Sequence, residues 1–208
     1  MEPIQNIVFD MGKVLMDFDA DRVCAYYIPD NKTLKDKVRR AVFGSTEWMA
    51  LDMGIIEEET ALSRIQANML DTAEERNLAA LCLRDWHLYN IWPKHGMDVL
   101  VREVQDAGFH TYVLSNASKR VRPCVSSRIP GADRMSGMLF SAEDCCYKPQ
   151  PEIYRLFFER FSLNPKNCFF IDDLPENIAG AKRMGMNGYC FADGDVEGLR
   201  SVLKQIIG

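Results

Sequence analysis

The sequence lacks the cysteine pattern of a metal-bound or disulfide-bonded scaffold. It has 7 cysteines, an odd number, and no two of them form a Cys-x-x-Cys pair. This spacing excludes a zinc-ribbon type of site and a disulfide framework as the basis of the fold. Free thiols are typical of a reducing compartment, so we expect a cytoplasmic protein. The 3 histidines have no metal-ligand spacing, and we expect each to be structural.

Long apolar runs and an excess of positive charge are also missing. No stretch approaches the length needed to cross a bilayer, and the N-terminus does not resemble a signal peptide. The formal net charge of −5 disfavours nucleic acid as a partner, because phosphate binding needs clustered Lys and Arg. Solvated helix faces explain the basic runs at 39–40 and 119–122. We therefore expect no nucleic-acid or membrane partner, and nothing indicates an obligate protein partner.

What the sequence does contain is a change in the pattern of expected secondary structure along the chain. A short apolar run ends at Asp10, and residues 17–92 then read as helical throughout, with no strand signal. Beyond residue 94, expected strands alternate with helices; the strands are at 111–114, 138–140, 168–171 and 188–192. Such alternation predicts an α/β fold with a doubly wound parallel sheet. The expected division is an α/β core at 1–16 and 93–208 and a small α-helical domain at 17–92.

Polar residues follow three of the expected strands. Asp10 ends the first, Ser115 and Asn116 end the second, and Asp172 and Asp173 end a later one. Because parallel strands point the same way, their carboxyl ends share one edge of the sheet. These side chains are therefore predicted to face a single crevice. The alternative, in which each residue only opens a turn, is less favoured because three strand ends agree.

Carboxylates gathered in one crevice favour binding of a divalent cation and phosphoryl transfer. They raise each other's pKa unless a cation intervenes, and Mg²⁺ suits carboxylates combined with a substrate phosphate. Aspartate is also a known nucleophile that forms aspartyl-phosphate intermediates. Lys148 could neutralise charge, and Ser115 and Asn116 could hydrogen-bond phosphate oxygens. A surface lysine and a turn cap remain the open alternatives for these residues.

Four segments occur in a recognisable order. They are FDMGKVL with Asp10, VLSNAS with Ser115, YKPQPEIY with Lys148, and FIDDLPENIAGAKRMGM with Asp172 and Asp173. Through them the chain resembles the haloacid-dehalogenase-like (HAD) hydrolases over nearly its full length. The resemblance implies a Rossmann-like HAD core, with the helical stretch after Asp10 as a small α-helical cap. It also implies magnesium as cofactor and a small phosphorylated metabolite as substrate.

The resemblance assigns a role to each matching position. Asp10 would be the nucleophile, Lys148 would neutralise charge on Asp10 and the substrate, and Ser115 and Asn116 would hold the phosphoryl oxygens. The implied metal site is made of Asp10, the backbone carbonyl of Gly12, Asp173 and Asp172, with Asn177 in the outer shell. In that arrangement Asp172 and Asn177 orient the direct ligand Asp173. Among the cap aromatics, Trp48 and its neighbour Met49 are the residues expected to face the substrate.

One position departs from the family pattern. Phosphatases of this family usually carry a second Asp two residues after the nucleophile, as general acid and base, whereas this chain has Gly12. Losing such a group costs about 10²–10⁴-fold in rate. Some sugar-phosphate phosphatases of the family also have glycine here. Asp17, Asp19 and Lys13 are candidate substitutes that spacing alone does not separate.

The sequence thus leads to one hypothesis with two alternatives. The first is a magnesium-dependent phosphatase that hydrolyses a small phosphorylated metabolite, such as a sugar phosphate, through an aspartyl-phosphate on Asp10. The second is a hydrolytic dehalogenase of a small halo acid, which the paired Asp172 and Asp173 disfavour because that reaction needs no metal. The third is a non-catalytic phosphometabolite-binding protein, which the full set of nucleophile, lysine and metal carboxylates disfavours.

Overall fold

The computed structural model describes residues 3–207, which form an α/β core and a helical segment near the N-terminus. The strands are β1 (Asn6–Phe9), β2 (Met16–Phe18), β3 (Ile91–Pro93), β4 (His110–Ser115), β5 (Gly137–Phe140), β6 (Cys168–Asp172) and β7 (Asn187–Cys190). The helices are α1 (Asp21–Tyr27), α2 (Lys32–Phe43), α3 (Thr46–Asp52), α4 (Glu58–Met69), α5 (Ala73–Tyr89), α6 (Met97–Asp106), α7 (Val125–Arg128), α8 (Pro151–Phe161), α9 (Pro175–Arg183) and α10 (Val196–Ile207).

The core is a five-stranded sheet with the order β5-β4-β1-β6-β7, in which every neighbouring pair is parallel. The central strand β1 is buried on both faces because its residues are apolar on both sides. Ile7 and Phe9 lie in a core cluster with residues of α6 and α10, and Val8 lies in a second cluster with residues of α8 and α9. This confirms the expected doubly wound parallel sheet.

The helices α1 to α5 lie between β2 and β3, in the manner of a cap. These two strands form a short antiparallel ladder in which Asp17 faces Trp92 and Phe18 faces Ile91. The expectation that 17–92 contains no strand is therefore wrong at both ends. Each strand has only 3 residues, too few for a period-two pattern to be visible in the sequence. The assignment of core and cap as separate domains stays a prediction.

The basic run at 119–122 lies against the cap, in addition to facing solvent as expected. Lys119 Nζ lies 2.7 Å from Glu57 Oε1, and the Arg120 guanidinium pairs with Glu58. Both glutamates are at the start of α4, where they also complement the helix dipole. This run therefore joins the start of α4 to the segment that follows β4.

Two sequence-based exclusions can be compared with the structure. All of the cysteines are free thiols, as the absence of a disulfide pattern predicted. Within residues 3–207, no helix combines the length and the apolar character needed to span a bilayer.

Candidate active site

Asp10 lies at the carboxyl edge of the sheet, directly after β1. Its backbone N–H donates to the Ile171 carbonyl at 2.8 Å, so the pairing of β1 with β6 continues through this residue. The residue is only 7% exposed. A tight turn follows, closed by a hydrogen bond of 2.6 Å from the Lys13 N–H to the Met16 carbonyl. Gly12, within this turn, lines the same pocket as Asp10.

Lys148 is a fixed internal cation. Its side chain is 1% exposed, and Nζ lies 2.9 Å from Asp10 Oδ1. The same ammonium donates to Asp172 Oδ2 at 2.6 Å and to the Leu114 carbonyl at 2.9 Å. Three acceptors thus surround a group that has three N–H donors. The alternative of a surface lysine beside a turn is wrong.

The residues that end β4 lie beside Asp10 and Lys148. The Asn116 side chain accepts from the Lys148 N–H at 2.8 Å and donates to the Lys148 carbonyl at 3.0 Å. Asn116 lines the pocket, but its amide group is engaged by this backbone. Ser115 is 2% exposed, and its side chain lies near enough to the Asp10 carboxyl to lower the pKa of that group. The structure therefore brings both predicted residues to the site, with Asn116 holding Lys148.

Asp172 is fully buried and its carboxylate is saturated with hydrogen bonds. Oδ1 accepts from the Leu174 N–H at 2.9 Å and from the Asn177 side chain at 2.9 Å. Oδ2 accepts from Lys148 at 2.6 Å and again from Asn177 at 3.1 Å. Asn177 lies in the first turn of α9, which places its amide beneath the end of β6. Asp172 and Asn177 thus form a support that positions Lys148.

Asp173 faces the pocket with fewer partners. Its side chain is 14% exposed, and its nearest cation is the largely exposed Lys13, with Nζ at 3.9 Å from Oδ2. Carboxylate oxygens of Asp10, Asp172 and Asp173 all lie within 4.8 Å of one another. The sequence predicted that these three residues converge, and the sheet brings them together as expected.

The electrostatics of this cluster show an excess of negative charge. Burial raises the pKa of Asp10 to about 6; Lys148 opposes this rise and Asp172 adds to it. Burial, together with the charge of Asp172, also raises the pKa of Asp173. Burial alone would lower the pKa of Lys148, but the two carboxylates Asp10 and Asp172 more than offset it and raise it. An all-oxygen set of carboxylates with incomplete compensation fits a magnesium ion.

A cavity of about 380 Å³ opens above these residues and beneath the helical segment. Its walls on that side are mainly apolar and aromatic, and they include Met16, Phe18, Trp48, Trp86 and Ile91. The Trp48 ring packs edge-on against Trp86 at a centroid distance of 5.1 Å. Trp48 lines the cavity as expected, whereas Met49 is 53% exposed and lines a separate surface pocket. The expectation that Met49 faces the cavity is wrong.

Sequence reasoning missed several residues that line the cavity, and three of them have side chains of chemical interest: Phe18, Asp52 and Tyr147. Phe18 belongs to the short strand β2, which has no readable pattern. Asp52 ends α3 just before Gly54, so its sequence context indicates only a helix end. Tyr147 precedes Lys148, and a turn preceding a functional lysine could have suggested it. Each of the three reaches the cavity through tertiary packing.

Among curated relatives, the chain is similar to flavin mononucleotide hydrolase 1 of Arabidopsis thaliana, with 27% identity over 154 residues. That match covers 71% of this chain but only 58% of the relative's length. The chain is also similar to the D-ribitol-5-phosphate phosphatase of Bacteroides thetaiotaomicron, with 26% identity over 89% of this chain and 91% of the relative.

Solved structures share the fold. An HAD family enzyme from Bacteroides thetaiotaomicron, in complex with magnesium and inorganic phosphate, superposes with a TM-score of 0.67 and 21% identity. The match covers 90% of this chain and 93% of that one. The L-2-haloacid dehalogenase from Xanthobacter autotrophicus, with chloropropionic acid covalently bound, has a TM-score of 0.63 and 18% identity, over 89% of this chain and 76% of that one.

The family model of the haloacid dehalogenase-like hydrolases matches residues 4–185. This range includes the strand ends and the lysine that build the site. The chain therefore belongs to the haloacid dehalogenase-like hydrolases.

Proposed function

We propose that this hydrolase is a magnesium-dependent phosphatase that removes phosphate from a small phosphorylated metabolite through an aspartyl-phosphate on Asp10. One observation carries the proposal. Asp10 and Asp173 lie in one cluster of carboxylates at the floor of a covered cavity, beside the buried ammonium of Lys148. This combination offers a nucleophile together with positive charge for a phosphoryl group.

Each residue of the site has a separate role in the proposed phosphoryl transfer. A carboxylate oxygen of Asp10 attacks phosphorus, and the bond from phosphorus to the leaving oxygen breaks with its electron pair on that oxygen. Lys148 holds the Asp10 carboxylate and offsets charge on the phosphoryl oxygens. Ser115, buried beside Asp10, helps to keep the nucleophile ionised because it lowers the pKa of that carboxyl. Water then cleaves the aspartyl-phosphate, which restores Asp10 and releases inorganic phosphate.

The metal site follows from the donor set. Asp10, Asp173 and the carbonyl of Gly12 would hold magnesium. The carboxylate oxygens of Asp172 already accept hydrogen bonds from Lys148, Leu174 and Asn177, so Asp172 and Asn177 would orient the site without binding the metal. Bound there, magnesium supplies positive charge against the phosphoryl oxygens and the nucleophile.

The two alternatives fit the same geometry less well. A halo acid needs an attack on carbon without a cation, which would leave the extra carboxylate of Asp173 facing the substrate uncompensated. A binding protein needs no nucleophile held by a buried lysine, and burying such a charge pair is costly. The curated similarity to two phosphate-ester hydrolases supports the phosphatase.

The cavity narrows the substrate class. A wall of Phe18, Trp48 and Trp86 favours a ligand with an apolar face, such as the C–H face of a sugar or a flat ring. A sugar or polyol phosphate is supported by the Bacteroides relative, whose name gives D-ribitol 5-phosphate, and a flavin nucleotide by the Arabidopsis relative.

A phosphate-release screen tests this proposal. Sugar phosphates, polyol phosphates, flavin mononucleotide and p-nitrophenyl phosphate are incubated with the wild type and with Asp10→Asn, with and without magnesium. The proposal predicts phosphate release that needs both magnesium and Asp10. Release that persists in Asp10→Asn or after removal of magnesium would contradict it, as would chloride release from 2-chloropropionate without phosphatase activity.

A further inference from the structure

The catalytic cavity contains one carboxyl group that comes from the helical segment. Asp52 is the last residue of α3, and it lines the same cavity as Asp10 and Lys148. It comes from the helical segment, whereas Asp10 and Lys148 come from the core. No motif in the sequence pointed to it.

The structure fixes Asp52 against the core. The hydroxyl of Ser141 donates to its backbone carbonyl, and the backbone N–H of Ser118 lies near enough to its carboxyl to lower the pKa of that group. Ser118 lies two residues after Asn116, in the segment that follows β4, so the carboxyl is held close to the phosphate end of the cavity. The fixed position distinguishes Asp52 from an acid that merely lies on a helix surface.

The environment also suits Asp52 to proton transfer. Burial raises its pKa to about 7, against a smaller opposing effect of the Ser118 N–H. A carboxyl group in this range exchanges a proton readily near neutral pH, which is what a general acid and base requires. The titratable side chains that share the cavity with it are Asp10, Lys13, Tyr147, Lys148 and Asp173.

The three substitutes suggested by the sequence are engaged elsewhere or exposed. Asp17, in β2, accepts from Lys94, which directly follows β3, at 2.6 Å. Asp19 is exposed and accepts from the backbone N–H of Asp21 at the start of α1. Lys13 is 66% exposed. Among the described residues, neither Asp17 nor Asp19 lines the cavity.

We propose that Asp52 is the general acid and base of the reaction and supplies the proton transfer that Gly12 cannot. This inference rests on the proposed phosphatase activity. As the bond between phosphorus and the leaving oxygen breaks, the Asp52 carboxyl gives its proton to that oxygen. The resulting carboxylate then takes a proton from the water that attacks the aspartyl-phosphate. The cycle returns Asp52 to its protonated form and Asp10 to its carboxylate.

Two esters with different leaving groups test the assignment. Benzyl phosphate releases a poor leaving group and p-nitrophenyl phosphate a good one, while both carry a flat ring for the aromatic wall. In Asp52→Asn, we expect kcat/KM for benzyl phosphate to fall about 100-fold or more, and that for p-nitrophenyl phosphate by less than about tenfold. The asparagine keeps an acceptor for Ser118, and thermal melting checks that the variant is folded.

A rescue variant makes the test sharper. A Cβ built at Gly12 meets no atom within 4 Å, so the site has room for a side chain. Adding Gly12→Asp to Asp52→Asn should restore at least about tenfold of kcat/KM for benzyl phosphate. Asp19→Asn is the matched control, since it removes one carboxylate outside the cavity, and it should hydrolyse both esters as the wild type does.

The results that would overturn the inference are distinct. An equal loss on both esters in Asp52→Asn would indicate a structural role, and no loss would exclude any role. Wild-type enzyme that hydrolyses p-nitrophenyl phosphate but not benzyl phosphate would show that no general acid operates. If the wild type released phosphate from neither ester and from none of the screened metabolites, the proposed phosphatase activity would be contradicted. The role of Asp52 would then be contradicted as well.

Discussion

At the scale of single residues, the site depends most on how the buried ammonium of Lys148 is balanced. It lies between Asp10 and Asp172, and it also donates to the Leu114 carbonyl. A buried pair of this kind contributes little net stability when intact, but removing one partner leaves an uncompensated charge in the interior. Lys148 is therefore required for the fold as well as for the proposed chemistry.

Lys148→Met keeps a similar volume and removes the charge. We expect the free energy of unfolding to fall by about 3–5 kcal/mol, because Asp10 and Asp172 then face each other without a cation. Urea denaturation measures this change. Lys13→Met is the matched control, since Lys13 is largely exposed, and it should cost less than about 1 kcal/mol. An equal effect of the two substitutions would contradict this role of Lys148.

The raised pKa of Asp52 implies that the free energy of unfolding depends on pH. Its folded pKa of about 7 lies above the ordinary value of 3.8, so the folded state binds the proton more tightly than the unfolded state does. Stability contributed by the neutral carboxyl is therefore lost as the pH rises through this window. Asp52→Asn should become progressively more stable relative to the wild type between about pH 4 and pH 7, with the difference levelling off above this range, as measured by urea midpoints. Asp19→Asn controls for net charge, and a constant difference across this range would contradict the prediction.

At the scale of secondary-structure elements, the turn after α3 attaches the helical segment to the core. Gly54 has a φ of +71°, and a Cβ built there would lie 2.2 Å from the Ala142 carbonyl oxygen. The hydrogen bond from Ser141 to the Asp52 carbonyl lies beside this contact. The position therefore needs glycine both for its backbone conformation and for the close approach of two backbones.

Gly54→Ala should disturb this attachment. We expect a loss of about 2–4 kcal/mol in the free energy of unfolding, from left-handed strain plus overpacking. Phosphatase activity should fall as well, because Asp52 and the cavity wall would shift. Gly108→Ala is the matched control: Gly108 has a φ of +89° with no atom within 4 Å of a built Cβ, so only the strain of about 1–2 kcal/mol applies. Similar losses at the two glycines would contradict the role of the Ala142 contact.

At the scale of the whole molecule, the sheet and the floor of the site could be predicted from the sequence. Asp10, Ser115 and Asp173 converge because each follows a buried apolar run, and parallel strands end at a common edge. The position of Lys148 could not be derived from its surroundings, because its partners belong to strands distant in the chain. The family resemblance, carried by four ordered segments, supplied that link.

The upper half of the cavity could not be predicted in the same way. Asp52 and Phe18 face the site only because the helical segment folds back on the core through contacts such as those of Gly54. These contacts join segments that have no periodic relation to each other. The strands β2 and β3 are too short to show alternation, so the base of this segment was also missed. Local pattern therefore predicted the carboxylates at the floor of the cavity but not the residues that cover them.

The central claim, that Asp10 carries the phosphoryl group, can be tested most directly by trapping it. The enzyme is quenched with acid during turnover of p-nitrophenyl phosphate with magnesium, and the peptide that contains Asp10 is measured by mass spectrometry. The account predicts that this peptide gains the mass of one phosphoryl group on Asp10, and that the gain is absent in Asp10→Asn. Phosphate release with a phosphoryl group on another residue, or on none, would contradict it.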